Sequence, residues 1–441
     1  MEKPKTHSTD FSAGSPERLP GEAFPLHNQF LPQLLFYMLI FTIPYFQLRQ
    51  LSAAYPFMKI DWLLTLALAV IIIPNILSRK GIPANLRSNL WPWLILFLIV
   101  NLISSLLSPY RGDCLAMLIN PILLGYVFIA LNMLMISKKG FEKYLPLVLA
   151  WSIGINSFLG FLGYFFGYML FVGGERGCGL TIGANNMAMM CVFTIPLLVH
   201  WLFHAKNRKN VLIAALLLIV NVLGVISSAS RGGFISLVII SFLLLFELRH
   251  RFHPKYLGLV IAIAGIVMIT FISFVPERYF QRQQTIMEGT QADKSTMRRR
   301  GYLIVGWDSF KKHPLLGTGT LSFSKIWVNS EMTRRFNIEE RPAHNTYVEV
   351  LVGTGIIGFF FFLMLLRQTF SNFSRAEKIF IDAGLASMAS LASAYRLSFI
   401  AVAIYFLFKS GLDHKLFLLS VPLSQVALTL ASKHLPGKGK S

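Results

Sequence analysis

The chain has 441 residues, 54% of them hydrophobic and 14% charged, with a mean hydropathy of +0.59. That is too apolar for a soluble protein of this length and marks an integral membrane protein. The 38 phenylalanines, with Leu and Ile, occur in long blocks rather than in alternation, which favours a polytopic helical bundle over an outer-membrane barrel.

Residues 1–30 are polar and broken by Pro4, Pro16, Pro20 and Pro25, so they read as a disordered cytoplasmic tail rather than a signal peptide. Hydropathy then predicts twelve spans, near residues 31–48, 62–77, 90–108, 114–136, 144–172, 185–203, 211–228, 231–248, 256–275, 346–366, 383–408 and 416–432. Spans one to nine fill 31–275, one large outer loop fills 276–343, spans ten to twelve fill 344–432, and 433–441 form a second inner tail. Some spans are short or carry Pro, so boundaries can shift and a short pair can be re-entrant. Lys and Arg set the orientation. With both termini cytoplasmic, every inner segment carries three of them and every short outer turn one or two. The segment Pro276–Ala343, with 12 basic and 7 acidic residues, falls outside; loops of this size translocate largely regardless of charge. Much of the net charge of +21 is therefore an orientation signal, not a nucleic-acid surface.

Three arginine-bearing segments meet the outer boundary. Arg176 lies in GGERGCGLTIGANN, where Glu175 is a candidate partner, and Arg231 occupies the tight turn SSASRGGFIS with no acidic residue beside it. Within the large loop, MRRRGYLIVGWDSFKKHPLLGTG predicts a helix that carries Leu303, Trp307 and Phe310 on one side, ends at His313-Pro314 and lies along the membrane surface. Arg298, Arg299 and Arg300 there are either anchors to lipid phosphate or part of a site for a phosphorylated ligand. Charge at membrane depth is costly, and the guanidinium fork suits diphosphate. Glycines beside these arginines (Gly177, Gly179, Gly183, Gly232, Gly233, Gly317 and Gly319) would let backbone N–H groups approach such a ligand, or serve helix packing.

RPAHNTYVEVLVGTGIIG then begins polar and ends apolar. His344 is either an interfacial polar residue or a general base whose imidazole stays neutral among arginines. Asn345 is a helix cap or, with Glu349 one turn on, a group that orients the histidine. Asp61 is a cap or partner of Lys59 on the bland reading, and the aspartate of a first outer loop on the other. Cys114, Cys178 and Cys191 show no metal-ligand spacing, and whether Cys114 and Cys178 pair stays open.

Together these segments resemble the O-antigen ligase and polymerase superfamily. AHNTYVEVLVGTGIIG resembles its histidine motif, KHPLLGTGTLSF its Pro-Leu-Leu-Gly-x-Gly element, SASRGGFIS its arginine-glycine turn and RGCGLTIGANNMA its arginine and asparagine segment, over roughly residues 170 to 370. The resemblance implies an all-α integral membrane glycosyltransferase of the C type with about twelve spans and one large periplasmic loop. Such an enzyme transfers a glycan from undecaprenyl diphosphate to an acceptor, the lipid A core oligosaccharide for a ligase or a lipid-linked glycan for a polymerase. It implies an inner-membrane location, a periplasmic site and no cofactor. By motif, His344 would be the base, and Arg231 and Arg299 would hold the diphosphate, with Arg298 or Arg300 as the register alternatives. Arg176 and Asn186 would line the donor site, with Asn345 and Glu349 beside the base. Physically, fixed guanidinium groups steady the departing diphosphate, and a single displacement inverts the anomeric centre without metal. A lipid-oligosaccharide flippase is the competing class; it should place charge at mid-membrane, where only Arg396 qualifies.

Overall fold

The computed structural model describes residues 29–45, 60–77, 86–168, 176–181, 183–249, 294–336 and 340–435. Every regular element among them is a helix. In chain order these are α1 (Phe30–Phe41), α2 (Ile60–Leu77), α3 (Trp91–Leu107), α4 (Arg111–Met117), α5 (Leu124–Met135), α6 (Leu145–Phe166), α7 (Ala184–His204), α8 (Arg208–Ser227), α9 (Arg231–Leu248), α10 (Lys294–Lys312), α11 (Phe323–Val328), α12 (Glu331–Phe336), α13 (Thr346–Asp382), α14 (Ala386–Tyr405) and α15 (Lys415–Ser432). Seven helices are long and apolar enough to cross a membrane, and four shorter apolar ones match predicted spans one to four. The predicted ninth span, 256–275, lies outside the described residues.

Two predicted spans are reshaped. The fourth, 114–136, is divided by a π-helical segment, Leu118–Leu123, which contains Pro121 and joins α4 to α5. A proline lacks the N–H that a regular helix needs there. The fifth ends early, at Gly167, whose φ of 76° is the left-handed cap that glycine accepts without cost.

The tenth span departs most from expectation. Instead of a single rod over 346–366, α13 is broken at Gly355, whose φ of 63° and ψ of −167° are outside any helix. The rings of Tyr347 and Phe362 then lie 6.0 Å apart. Fifteen residues of straight helix would separate them by roughly 22 Å, so the short first arm folds back on the second. A break inside an apolar bundle strands backbone groups that must find partners. The segment after His313 supplies them: Thr318 N and Gly319 N donate to Val352 O and Gly353 O at 2.9 Å each, and Pro314 O accepts from Ile356 N at 2.8 Å. Ser104 in α3 donates to Gly353 O at 2.6 Å. Gly317 is required at this joint, since its φ is 69° and a Cβ there would stand 2.5 Å from Gly353. Asn101 and Ser105 of α3, with Ser108 just past its end, close the other side, through Thr320 and the Thr318 carbonyl.

The core is the apolar interior of α3, α5, α7, α13, α14 and α15, with Phe362, Phe373, Tyr395 and Phe406 fully buried. α10 ends at Lys312, as the His313-Pro314 stop predicts. It packs inward through Tyr302, Val305 and Gly306 and leaves Leu303, Ile304 and Trp307 exposed, an apolar outer face that suits a lipid surface.

Candidate active site

His344 sits in the turn that opens the first arm of α13. Its φ of 51° is left-handed, which costs a residue with a Cβ on the order of 1–2 kcal/mol. Bonds on both flanks hold it there. The Asn345 side chain accepts from Val348 N at 3.2 Å, so Asn345 is the helix cap. Glu349 is buried and accepts from Ala343 N and from the Ser410 hydroxyl, both at 2.8 Å. Glu349 therefore orients His344 through the backbone before it, while Asn345 fixes the backbone after it.

The imidazole is half-buried, with the Tyr302 ring centroid 5.9 Å away. Its pKa is pushed down to about 4, first by burial and then by the positive charges of Lys409, Arg299, Arg341 and Arg298. The ring is accordingly neutral at pH 7 and able to accept a proton. Of the arginine triplet, Arg298 and Arg299 act on it, whereas Arg300 is exposed and is not among the charges that do. Arg299 also acts on Lys409 and on the Tyr405 hydroxyl, which makes it the link between the histidine and the rest of the site.

Tyr405, at the end of α14, donates to Asn186 Oδ1 at 2.6 Å. Arg176 lies within electrostatic reach of the same hydroxyl. Glu175 is outside the described residues; Arg176 instead donates to Ser228 O at 2.8 Å and Asn185 Oδ1 at 2.6 Å. Two of its five donors thus tie the start of α7 to the turn that carries Arg231. That turn is tight: Ala229 has a φ of 44°, the Ser230 hydroxyl caps Gly233 N at 3.1 Å, and Arg231 is the first residue of α9. A Cβ on Gly232 would stand 2.8 Å from Phe408, next in the chain to Lys409.

The glycines expected to offer N–H groups to a ligand do something else. Gly177 N donates to Ser227 O, Gly233 N to Ser230, Gly317 N to His313 O and Gly319 N to Gly353 O. These four allow close packing, against backbone at Gly177 and Gly317 and against side chains at Gly233 and Gly319. Asp61 is the second residue of α2, with its side chain outside the described residues. All three cysteines are free and buried, so Cys114 and Cys178 do not pair.

Lys409, Arg341, Tyr302 and Tyr405 were not singled out by sequence. Lys409 counted there only as one of the few basic residues of a short outer turn, and its place beside His344 depends on a bend in α13 that hydropathy does not reveal.

Residues 214–363 match the family model described as O-Antigen ligase. An uncharacterized protein of Haemophilus influenzae is 22% identical over 196 residues, 42% of this chain and 49% of the relative. The chain thus aligns with about half the length of that curated relative. The family match runs from within α8 into the second arm of α13 and takes in the Arg231 turn, α10, the 314–319 joint and His344. Over residues 214–363 the chain is thus similar to the O-antigen ligase family, in three of the four motif segments that resemble it; the Arg176 segment lies outside the match.

Proposed function

We propose that this protein is an O-antigen ligase-type glycosyltransferase, which moves a glycan from undecaprenyl diphosphate to the lipid A core at the periplasmic face of the inner membrane. The observation that carries this reading is a half-buried imidazole, fixed by the Asn345 cap and by Glu349 and held neutral by burial and by the charges of Lys409, Arg299, Arg341 and Arg298. His344 accepts the proton of the acceptor hydroxyl as that oxygen attacks the anomeric carbon. The bond to the diphosphate oxygen breaks on the opposite face, and Arg299 and Arg231 take up the charge that grows on the leaving group. One displacement inverts the anomeric centre. Fixed guanidinium groups do here what a metal ion does in other glycosyl and phosphoryl transfers, so the reaction runs without metal.

Arg176 and Asn186 act mainly by shaping the donor site, since Arg176 holds the Arg231 turn and Asn186 holds Tyr405. The flippase reading has less support, since its one mid-membrane cation, Arg396, is paired with Glu247 and Glu377.

The test is purified full-length protein in detergent, with a strong chelator, an undecaprenyl-diphosphate glycan and two acceptors offered in parallel. Transfer to core lipid supports a ligase, and transfer to a lipid-linked repeat unit makes it a polymerase. No transfer to either acceptor, or transfer that depends on added metal, contradicts the mechanism.

A further inference from the structure

The loop between α14 and α15 is fastened to the His344 turn at several points. Thr346 N donates to Phe406 O at 2.8 Å, the Thr346 hydroxyl donates to Lys409 O at 2.8 Å, and Gly411 N donates to the Thr346 hydroxyl at 3.1 Å. Ser410 donates to Glu349. On the other side, Phe408 packs under Gly232 in the Arg231 turn. Lys409 therefore stands between the turn that carries the histidine and the turn that carries Arg231, on a backbone bonded to the first and beside a Phe408 side chain packed against the second.

Its charge is poorly balanced. Asp413 and Glu349 act on the ammonium without pairing with it, and a Glu349 oxygen is already taken by Ala343 N and Ser410. Asp413 is exposed. Burial accordingly holds Lys409 below the usual lysine range. A half-buried cation with no ion pair among the described residues, held in a loop fastened to the His344 turn, is costly to bury and is relieved by an anion.

We propose that Lys409 is a donor-binding residue, a point charge that holds a non-bridging oxygen of the lipid diphosphate alongside Arg299. This rests on the glycosyltransferase reading above. Arginine forks fix the orientation of a phosphate, whereas an ammonium on a flexible stem supplies charge wherever the oxygens move as the bond breaks. Lys409 also helps to keep His344 neutral before the donor arrives. The charges that face the imidazole are Arg298 and Arg299 from α10, Arg341 from the preceding segment and Lys409; Glu349 faces the backbone of Ala343.

The experiment measures binding of undecaprenyl diphosphate and undecaprenyl monophosphate, and the pH profile of kcat/KM, in full-length wild type, Lys409→Gln, Lys409→Arg and Arg299→Ala. Lys409→Gln should weaken diphosphate binding by about tenfold and shrink its advantage over monophosphate, and Lys409→Arg should recover most of the loss. The acid limb of the profile should move to higher pH in Lys409→Gln and stay in Lys409→Arg, because only the first removes a charge that opposes protonation of His344. Unchanged diphosphate binding and an unmoved limb in Lys409→Gln, with Arg299→Ala impaired, would overturn the role of Lys409 alone. Equal losses in both Lys409 variants would make it a structural residue and also overturn it. A wild type that does not distinguish diphosphate from monophosphate would overturn this role and the donor assignment together.

Discussion

Two clusters of charge sit at different levels of the same bundle, and they are balanced in opposite ways. Around Arg396, one guanidinium is shared by Glu247 from α9 and Glu377 from α13, with Ser393 bonded to Glu247. Around His344, four cations from three segments bear on one imidazole, and one oxygen of the buried Glu349 accepts from both Ala343 N and Ser410. The first arrangement pairs its one cation with two carboxylates and clamps α9, α13 and α14 together. The second gathers positive charge from three segments around a neutral imidazole. Charge at membrane depth is expensive in either case, and on the proposed reading the lipid diphosphate supplies the counter-charge of the second.

The largest effect that can break this contrast is on the donor side. Arg299→Ala should lower kcat/KM for the lipid-linked donor by about 10³-fold, or roughly 4 kcal/mol, with thermal stability unchanged. A loss of stability instead would put Arg299 in the same class as Arg396. Conversely, Arg396→Leu should cost about 3 kcal/mol of stability, because it leaves two half-buried carboxylates without their partner. The triple variant with Glu247→Leu and Glu377→Leu should recover most of that in a detergent melt. If Arg396→Leu instead leaves the melt unchanged and abolishes transfer, the clamp assignment is wrong.

Gly317→Ala tests whether the 314–319 segment is a joint or a ligand site. A Cβ there meets the Gly353 backbone in a left-handed conformation, so stability should fall by about 2 kcal/mol while donor affinity of the folded fraction stays constant. The smallest effect expected is at the cap. Asn345→Ala should lower stability by about 1 kcal/mol. Its kcat should fall modestly with donor KM unchanged, because the cap steadies His344 rather than touching the donor. A loss of donor binding would give Asn345 a contact with substrate that its bond to Val348 does not explain.

Much of this was legible in the sequence, for identifiable reasons. Blocks of apolar residues gave the helices, since hydropathy is a sum over many residues and tolerates local error. His344 and Asn345 stood out because a cap and a histidine interrupt an otherwise apolar run. Glu349 was reached by helical spacing, though its actual partners, Ala343 N and Ser410, include one from a distant loop. Of the two roles the sequence left open for the glycines, packing is the one seen. A missing Cβ looks the same in sequence whether a ligand or the protein itself fills the space, and here it is backbone at Gly177 and Gly317 and the Ser108 and Cys114 side chains at Gly319. The fold-back of α13 was hidden for a related reason: Gly355 breaks the helix only because residues 314–319 stand ready to accept its stranded bonds. Lys409 was missed because its significance follows from that bend.

The central claim is that His344 is the base of a metal-free transfer, and the most direct test is the initial rate of glycan transfer by purified His344→Gly in the presence of chelator. Glycine accepts the left-handed backbone at this position, so the fold is retained while the imidazole is lost. The rate should drop by at least about 10²-fold while undecaprenyl-diphosphate binding stays at the wild-type level. Transfer at the wild-type rate would contradict the account.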